Sequence, residues 1–123
     1  MAADSHLSSF GAYRKALELF DLTAADLMPL TKSAALARLI GQQLASADSI
    51  AANIEEGYGR GSPKEYAHFL VIARGSAQET AGRYERLKHW LPAETVDARV
   101  VLCREIIAIL TKSISTLRSQ PSP

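Results

Sequence analysis

Glu65 and His68 stand three residues apart, a spacing that sets a carboxylate and an imidazole on one face of a helix. Di-iron helical proteins use that pair twice, with two further glutamates from other helices. Here it occurs once, since neither His6 nor His89 has a glutamate three residues before it. Glu65 also has a plainer use as a capping residue, so neither a metal site nor a cofactor is expected. Gly57-Tyr58-Gly59-Arg60-Gly61-Ser62 has the look of a phosphate loop. Its glycine spacing is not that of a dinucleotide fingerprint, no lysine follows in Walker spacing, and it trails a helical pattern instead of a strand. It reads better as a helix–helix corner, although Arg60 beside a helix start is suited to holding an anion. Cys103, the one cysteine, falls on an apolar seam and reads as a small buried hydrophobe. No serine or cysteine has a recognisable base and orienting partner, and no enzyme activity is expected.

Two further groups carry polar chemistry. If the second and third helices fold about 57–61 as a hairpin, Asn53 and Glu56 come near Ser76 and Glu79. Buried polar groups must be paired, so these four are expected to form a cluster that fixes register. The second group is basic. Arg74, Arg83, Arg86 and Lys88 follow Arg60, and residues 62–91 hold five basic against three acidic side chains, whereas 1–30 hold two against four. Arg83 and Arg86, three apart, share a helix face. Arg60, Arg74, Arg83, Arg86 and Lys88 are therefore the candidate contacts to phosphates.

Four segments with helical periodicity must position these groups, and none alternates as a strand does. The apolar stripes are Tyr13, Ala16, Leu17, Phe20, Ala24, Leu27; then Leu36, Ile40, Gln43, Ala47, Ile50, Ile54; then Tyr66, Phe69, Leu70, Ala73, Ala77, Tyr84, Leu87. The last is Val96, Val100, Cys103, Ile107, Leu110, Ile114, Leu117, alternating fours and threes as a bundle seam does. Pro29 ends the first helix. Gly57, Gly59 and Gly61 suit left-handed caps after the second. Ser62-Pro63-Lys64-Glu65 opens the third with a capping box, and Pro92 separates the third from the fourth. The later three helices, roughly 25–29 residues or about 40 Å each, have short connections and must run antiparallel to their neighbours. The expectation is an all-α, antiparallel up-and-down four-helix bundle over 9–119, with 1–8 and 120–123 as frayed ends. Leu102, Ile106 and Ile109 form a second apolar stripe on the fourth helix, expected to meet another subunit.

Composition narrows the class of function. With 123 residues and 47% hydrophobic content, the chain can build one core without metal or disulfide. A net charge of +1 gives no bulk attraction to nucleic acid. One cysteine, an N-terminus without an apolar run and no stretch of the ~20 apolar residues a membrane span needs point to a cytoplasmic protein with no membrane partner.

From Ser49 to Glu79 the residues run Ser49-Ile50, Asn53-Ile54, Glu56-Gly57, Gly59-Arg60, Ser62, then Lys64-Glu65, Phe69-Leu70, Ile72-Ala73-Arg74-Gly75-Ser76 and Glu79. This pattern resembles the four-helix bundle proteins encoded by intervening sequences of bacterial 23S ribosomal RNA genes, a family related to the accessory variability protein of diversity-generating retroelements. Tyr13, Lys15-Ala16 and Leu19 are similar to its first-helix pattern. The resemblance implies a homo-oligomer, typically a five-subunit ring, and, by way of the retroelement relatives, basic surfaces for nucleic acid. Ala51 replaces a common proline and Glu55 a common alanine. Leu44-Ala45 stands where the family has a basic pair, which leaves the third helix as the basic candidate. The expected function is a non-catalytic oligomeric binding protein contacting RNA or a ribonucleoprotein through that helix; the alternative is a protein–protein scaffold with no nucleic-acid role.

Overall fold

The computed structural model describes residues 2–121; residues 1, 122 and 123, which belong to the two ends expected to fray, lie outside it. All regular structure among the described residues is helical: α1 (Ala2–Ser9), α2 (Gly11–Leu27), α3 (Ala37–Tyr58), α4 (Pro63–Arg86) and α5 (Ala93–Arg118). Four of the five are long, and they correspond to the four periodic segments. The fifth, α1, occupies most of the stretch 1–8 and buries Leu7 in the core.

The local signals account for the boundaries. Pro29 cannot continue α2, and the chain passes through a 3-10 turn (Met28–Lys32) and a second (Ala34–Leu36) into α3. Ser62 caps α4, its hydroxyl accepting from the Glu65 N–H at 3.2 Å, with Pro63 in the first turn. Glu65 turns back to the Ser62 hydroxyl (3.2 Å). Of the three glycines expected to serve as left-handed caps, only Gly61 is left-handed (φ +83°). Gly59 keeps helical angles, and Gly57 lies inside α3. Gly57 is needed for another reason: a Cβ there would sit 2.8 Å from Phe69 Cβ and 3.0 Å from Tyr66 Cδ1. Only a bare backbone lets the end of α3 approach the start of α4 so closely.

α3 packs on both α2 and α4, and α5 on both α4 and α2. The α3 stripe is buried at all six positions expected. On α2 the stripe is rotated: Ala12, Ala16, Leu19, Thr23 and Leu27 are buried, while Leu17 is 43% exposed. The α5 expectation needs a larger correction. Leu102 and Ile106, assigned to a subunit interface, are buried in the chain's own core, and Ile109 is half-buried against it. A helix wedged between two neighbours presents a wide apolar arc, and both α5 stripes fall inside it. Each fully buried leucine or isoleucine contributes about 1.5–3 kcal/mol, so these side chains belong to the fold.

The core has a main cluster and a smaller one. The smaller holds Leu27, Leu36, Ile40 and Leu87, with Leu30, Leu39, Leu44 and Leu91 against them. It closes the end where α2 and α4 finish and α3 and α5 begin. No helix among the described residues is long and apolar enough to cross a membrane.

Candidate functional site

The five basic candidates do not form one face. Arg83 turns toward α3, donating to Gln43 Oε1 (3.0 Å) and Ser46 Oγ (3.0 Å). Arg74 points the other way and donates to Thr111 of α5 at 3.2 Å. Arg60 is held by Glu56 at 2.9 Å and lies 5.0 Å from the centre of the Phe69 ring. Arg86 and Lys88 are exposed at the opposite end of α4. Arg83 and Arg86 lie one turn apart, but α3 claims the Arg83 guanidinium for its own polar groups.

Those polar groups form a ladder between α3 and α4. Gln43, fully buried, donates to the Thr80 carbonyl (2.9 Å) and accepts from Arg83. Thr80 Oγ1 lies 2.8 Å from the Ser76 carbonyl and 3.1 Å from Ser46 Oγ. Ser76 donates to Ser49 Oγ (2.9 Å), which also accepts from Asn53 (2.9 Å). The expected register cluster is thus half present. Asn53 and Ser76 meet through Ser49, whereas Glu56 serves Arg60 and Glu79 is exposed. No buried side-chain nitrogen or oxygen among the described residues lacks a partner, as a register-setting ladder requires.

A second buried constellation had no local signal. Asp26 of α2 receives two hydrogen bonds from Arg99 of α5, at 2.8 and 3.0 Å, and one from Tyr84 Oη of α4 at 2.7 Å. Thr23 Oγ1 lies 2.8 Å from the same phenol oxygen. A phenol has one proton and a carboxylate only accepts, so Tyr84 donates to Asp26 and Thr23 donates to Tyr84. The hydrogen bond to Asp26 raises the Arg99 pKa further, and burial raises that of Tyr84. With Asp26 8% and Arg99 19% exposed, this unit ties three helices together.

Burial pushes the Cys103 thiol up to about 12, so it is a neutral core residue at ordinary pH. Glu65 and His68 are both exposed, and no three histidine, cysteine or acidic residues converge among the described residues.

Concavity is concentrated at the end where α4 begins and α5 finishes. A cavity of about 550 Å³ lies between them, lined by Ser62, Pro63, Lys64, Ala67, His68 and Val71 from α4 and its cap, and by Leu117, Arg118, Gln120 and Pro121. A smaller one, about 280 Å³, lies on the other side of Leu117 and carries Lys112 and His6 on its rim. Among the described residues, no carboxylate stands within 4.0 Å of the nitrogens of Lys64, Lys112 or Arg118. Lys64 and His68 are one turn apart and share a face, and Arg118 comes from the last turn of α5. Sequence reasoning passed over this group. The signal was available: folding α4 and α5 into a hairpin about residues 87–92 brings residue 64 beside residue 118.

Among known proteins, a family model described as 23S rRNA-intervening sequence protein matches residues 9–112. A search of curated proteins finds no match.

Proposed function

The chain belongs to the 23S rRNA-intervening sequence protein family, and from that premise we propose a non-catalytic binding protein that holds RNA through its phosphates. The contact surface is the end of the molecule where α4 begins and α5 finishes. One observation carries the reading: a cavity of about 550 Å³ is edged by Lys64, His68 and Arg118, and among the described residues neither Lys64 nor Arg118 is paired to a carboxylate. Unneutralised cations around a concave surface are what a phosphate backbone seeks, and they position the nucleic acid without reading its bases. The contact is moved from the third long helix to this end because its basic residues do not converge: Arg83 is turned to the α3 polar groups, and Arg74 lies on the opposite side, against Thr111.

The architecture we propose for the unit is an antiparallel up-and-down four-helix bundle. Its support is the closed circuit of pairings, α2 on α3, α3 on α4, α4 on α5 and α5 on α2. We propose a homo-oligomer, with five subunits as the family resemblance implies, working in the cytoplasm; multiplying a weak basic end by subunit number strengthens a polyanion contact. Sedimentation of the purified chain tests the assembly, and a monomer mass would remove it. Binding of structured RNA at about 50 and 200 mM salt tests the function. Several phosphate contacts predict a steep loss across that range, and no binding at the lower salt overturns the reading.

A scaffold for another protein is the second reading. It is favoured by the apolar side chains left in solvent, chiefly Met28 (66% exposed), Val101 (57%) and Trp90 (45%). It predicts a protein complex that survives nuclease treatment.

A further inference from the structure

The recess between α4 and α5 is more specific than a basic patch. Its basic side chains come from two walls: Lys64, with His68 one turn further on, from the first turns of α4, and Arg118 from the last turn of α5. Ala67, Val71 and Leu117 supply an apolar floor between them. Glu65, the neighbouring acid, is turned to Ser62 and does not line the recess. The end of α4 adds little by itself, because Pro63 has no N–H and Ser62 already takes the Glu65 N–H. The side-chain cations therefore set what the recess prefers.

An internal phosphodiester carries one negative charge and must have chain on both sides. A phosphate monoester carries about −1.5 to −2 at neutral pH and ends the chain. A recess of about 550 Å³, within the roughly 300–1,000 Å³ of ligand pockets, suits the latter. Charge converging from two walls matches a near-dianion, and the guanidinium of Arg118 can engage two of its oxygens at once. The apolar floor suits the sugar and base attached to that phosphate.

We propose that this recess receives the terminal phosphate monoester of an RNA strand, with Lys64 and Arg118 as its charge partners and His68 on its edge. The proposal rests on the RNA reading above and names the part of the RNA that is held. The test is fluorescence anisotropy with one short single-stranded RNA sequence prepared with a 5′-phosphate, with a 3′-phosphate and with hydroxyls at both ends. One added charge contact at ~4 Å near water is worth about 1 kcal/mol. At least one phosphorylated form should therefore bind about 5-fold tighter than the hydroxyl form. In Lys64→Gln/Arg118→Gln that ratio should fall to about one, with circular dichroism and thermal midpoint unchanged because both side chains are exposed. Equal binding of all three RNAs to the native protein overturns the inference and leaves the RNA reading standing. A preference that survives the double substitution overturns the assignment to this recess. Free adenosine monophosphate binding as tightly as the phosphorylated RNA overturns an RNA end as the occupant. Failure of every RNA to bind removes the underlying reading itself.

Discussion

The two ends of this molecule solve the same problem in opposite ways. Where α2 and α4 finish, leucines from both connections fill the space, and the Asp26–Arg99–Tyr84 unit ties three helices just inside. Where α4 begins and α5 finishes, the rings of Tyr58 and Tyr66 stand edge-on 6.0 Å apart beside two small cavities, and a larger one lies between the two helix ends. The first end is closed by packed leucines and by a buried polar unit whose members satisfy one another. At the second, Lys64 and Arg118 edge a cavity with no carboxylate within 4.0 Å among the described residues. On the proposed RNA reading, substitutions at the two ends should fail in different assays.

The largest effect is expected from Leu87→Ala in the filled end. Leu87 is 1% exposed, and a leucine-to-alanine cavity costs about 2–5 kcal/mol. Urea unfolding should show that loss while RNA affinity, measured under native conditions, stays within 2-fold of the native protein's, on the order of 0.4 kcal/mol. A parallel loss of affinity would erase the division between the ends. Arg99→Ala comes next, at about 3 kcal/mol, because it strands Asp26 in a buried position. The double substitution Asp26→Leu/Arg99→Leu should cost less than the two single losses added together, since no charge is left without its partner.

Alkali should weaken the fold from within. Cys103 and Tyr84 are neutral when protonated, and burial raises both above their unfolded values. Their contribution is whole below about pH 9 and is lost as pH climbs toward 12. A thermal midpoint that holds steady from pH 8 to 11 would count against that burial. Gly57→Ala, beside the open end, should cost about 1–3 kcal/mol as the new methyl displaces Phe69 and Tyr66. A neutral result would mean that α3 and α4 stand farther apart there than the close approach implies.

Legibility in the sequence followed the same division between local and distant partners. The α3 stripe was readable in full because Leu36, Ile40, Ala47, Ile50 and Ile54 recur on a single face. On α2, Leu17 and Leu19 both lie on plausible stripes. Thr23, hydrogen-bonded to Tyr84, shows which side is buried, and that bond spans 61 residues. Leu102 and Ile106 were misjudged because the width of an apolar arc depends on how many helices flank it, which spacing alone does not report. The Asp26–Arg99 pair spans 73 residues and leaves no local trace. The ladder was half visible: Asn53 and Ser76 were identified, but Gln43 was read only as a member of the α3 stripe and Ser49 only as part of the family pattern. The recess went unread because Lys64 and Arg118 look like ordinary helix-end cations until α4 and α5 are set side by side.

Cys103 has a practical use that its chemistry alone did not suggest. It is the one cysteine of the chain and is fully buried at the centre of α5. Thiolate, not thiol, attacks alkylating reagents, so labelling must wait for a molecule to open. The protein thus carries its own clock. Modification followed by mass spectrometry, with no engineered probe, times how often the core gapes, and a bound ligand that stabilises the closed form would slow that clock in proportion to its affinity.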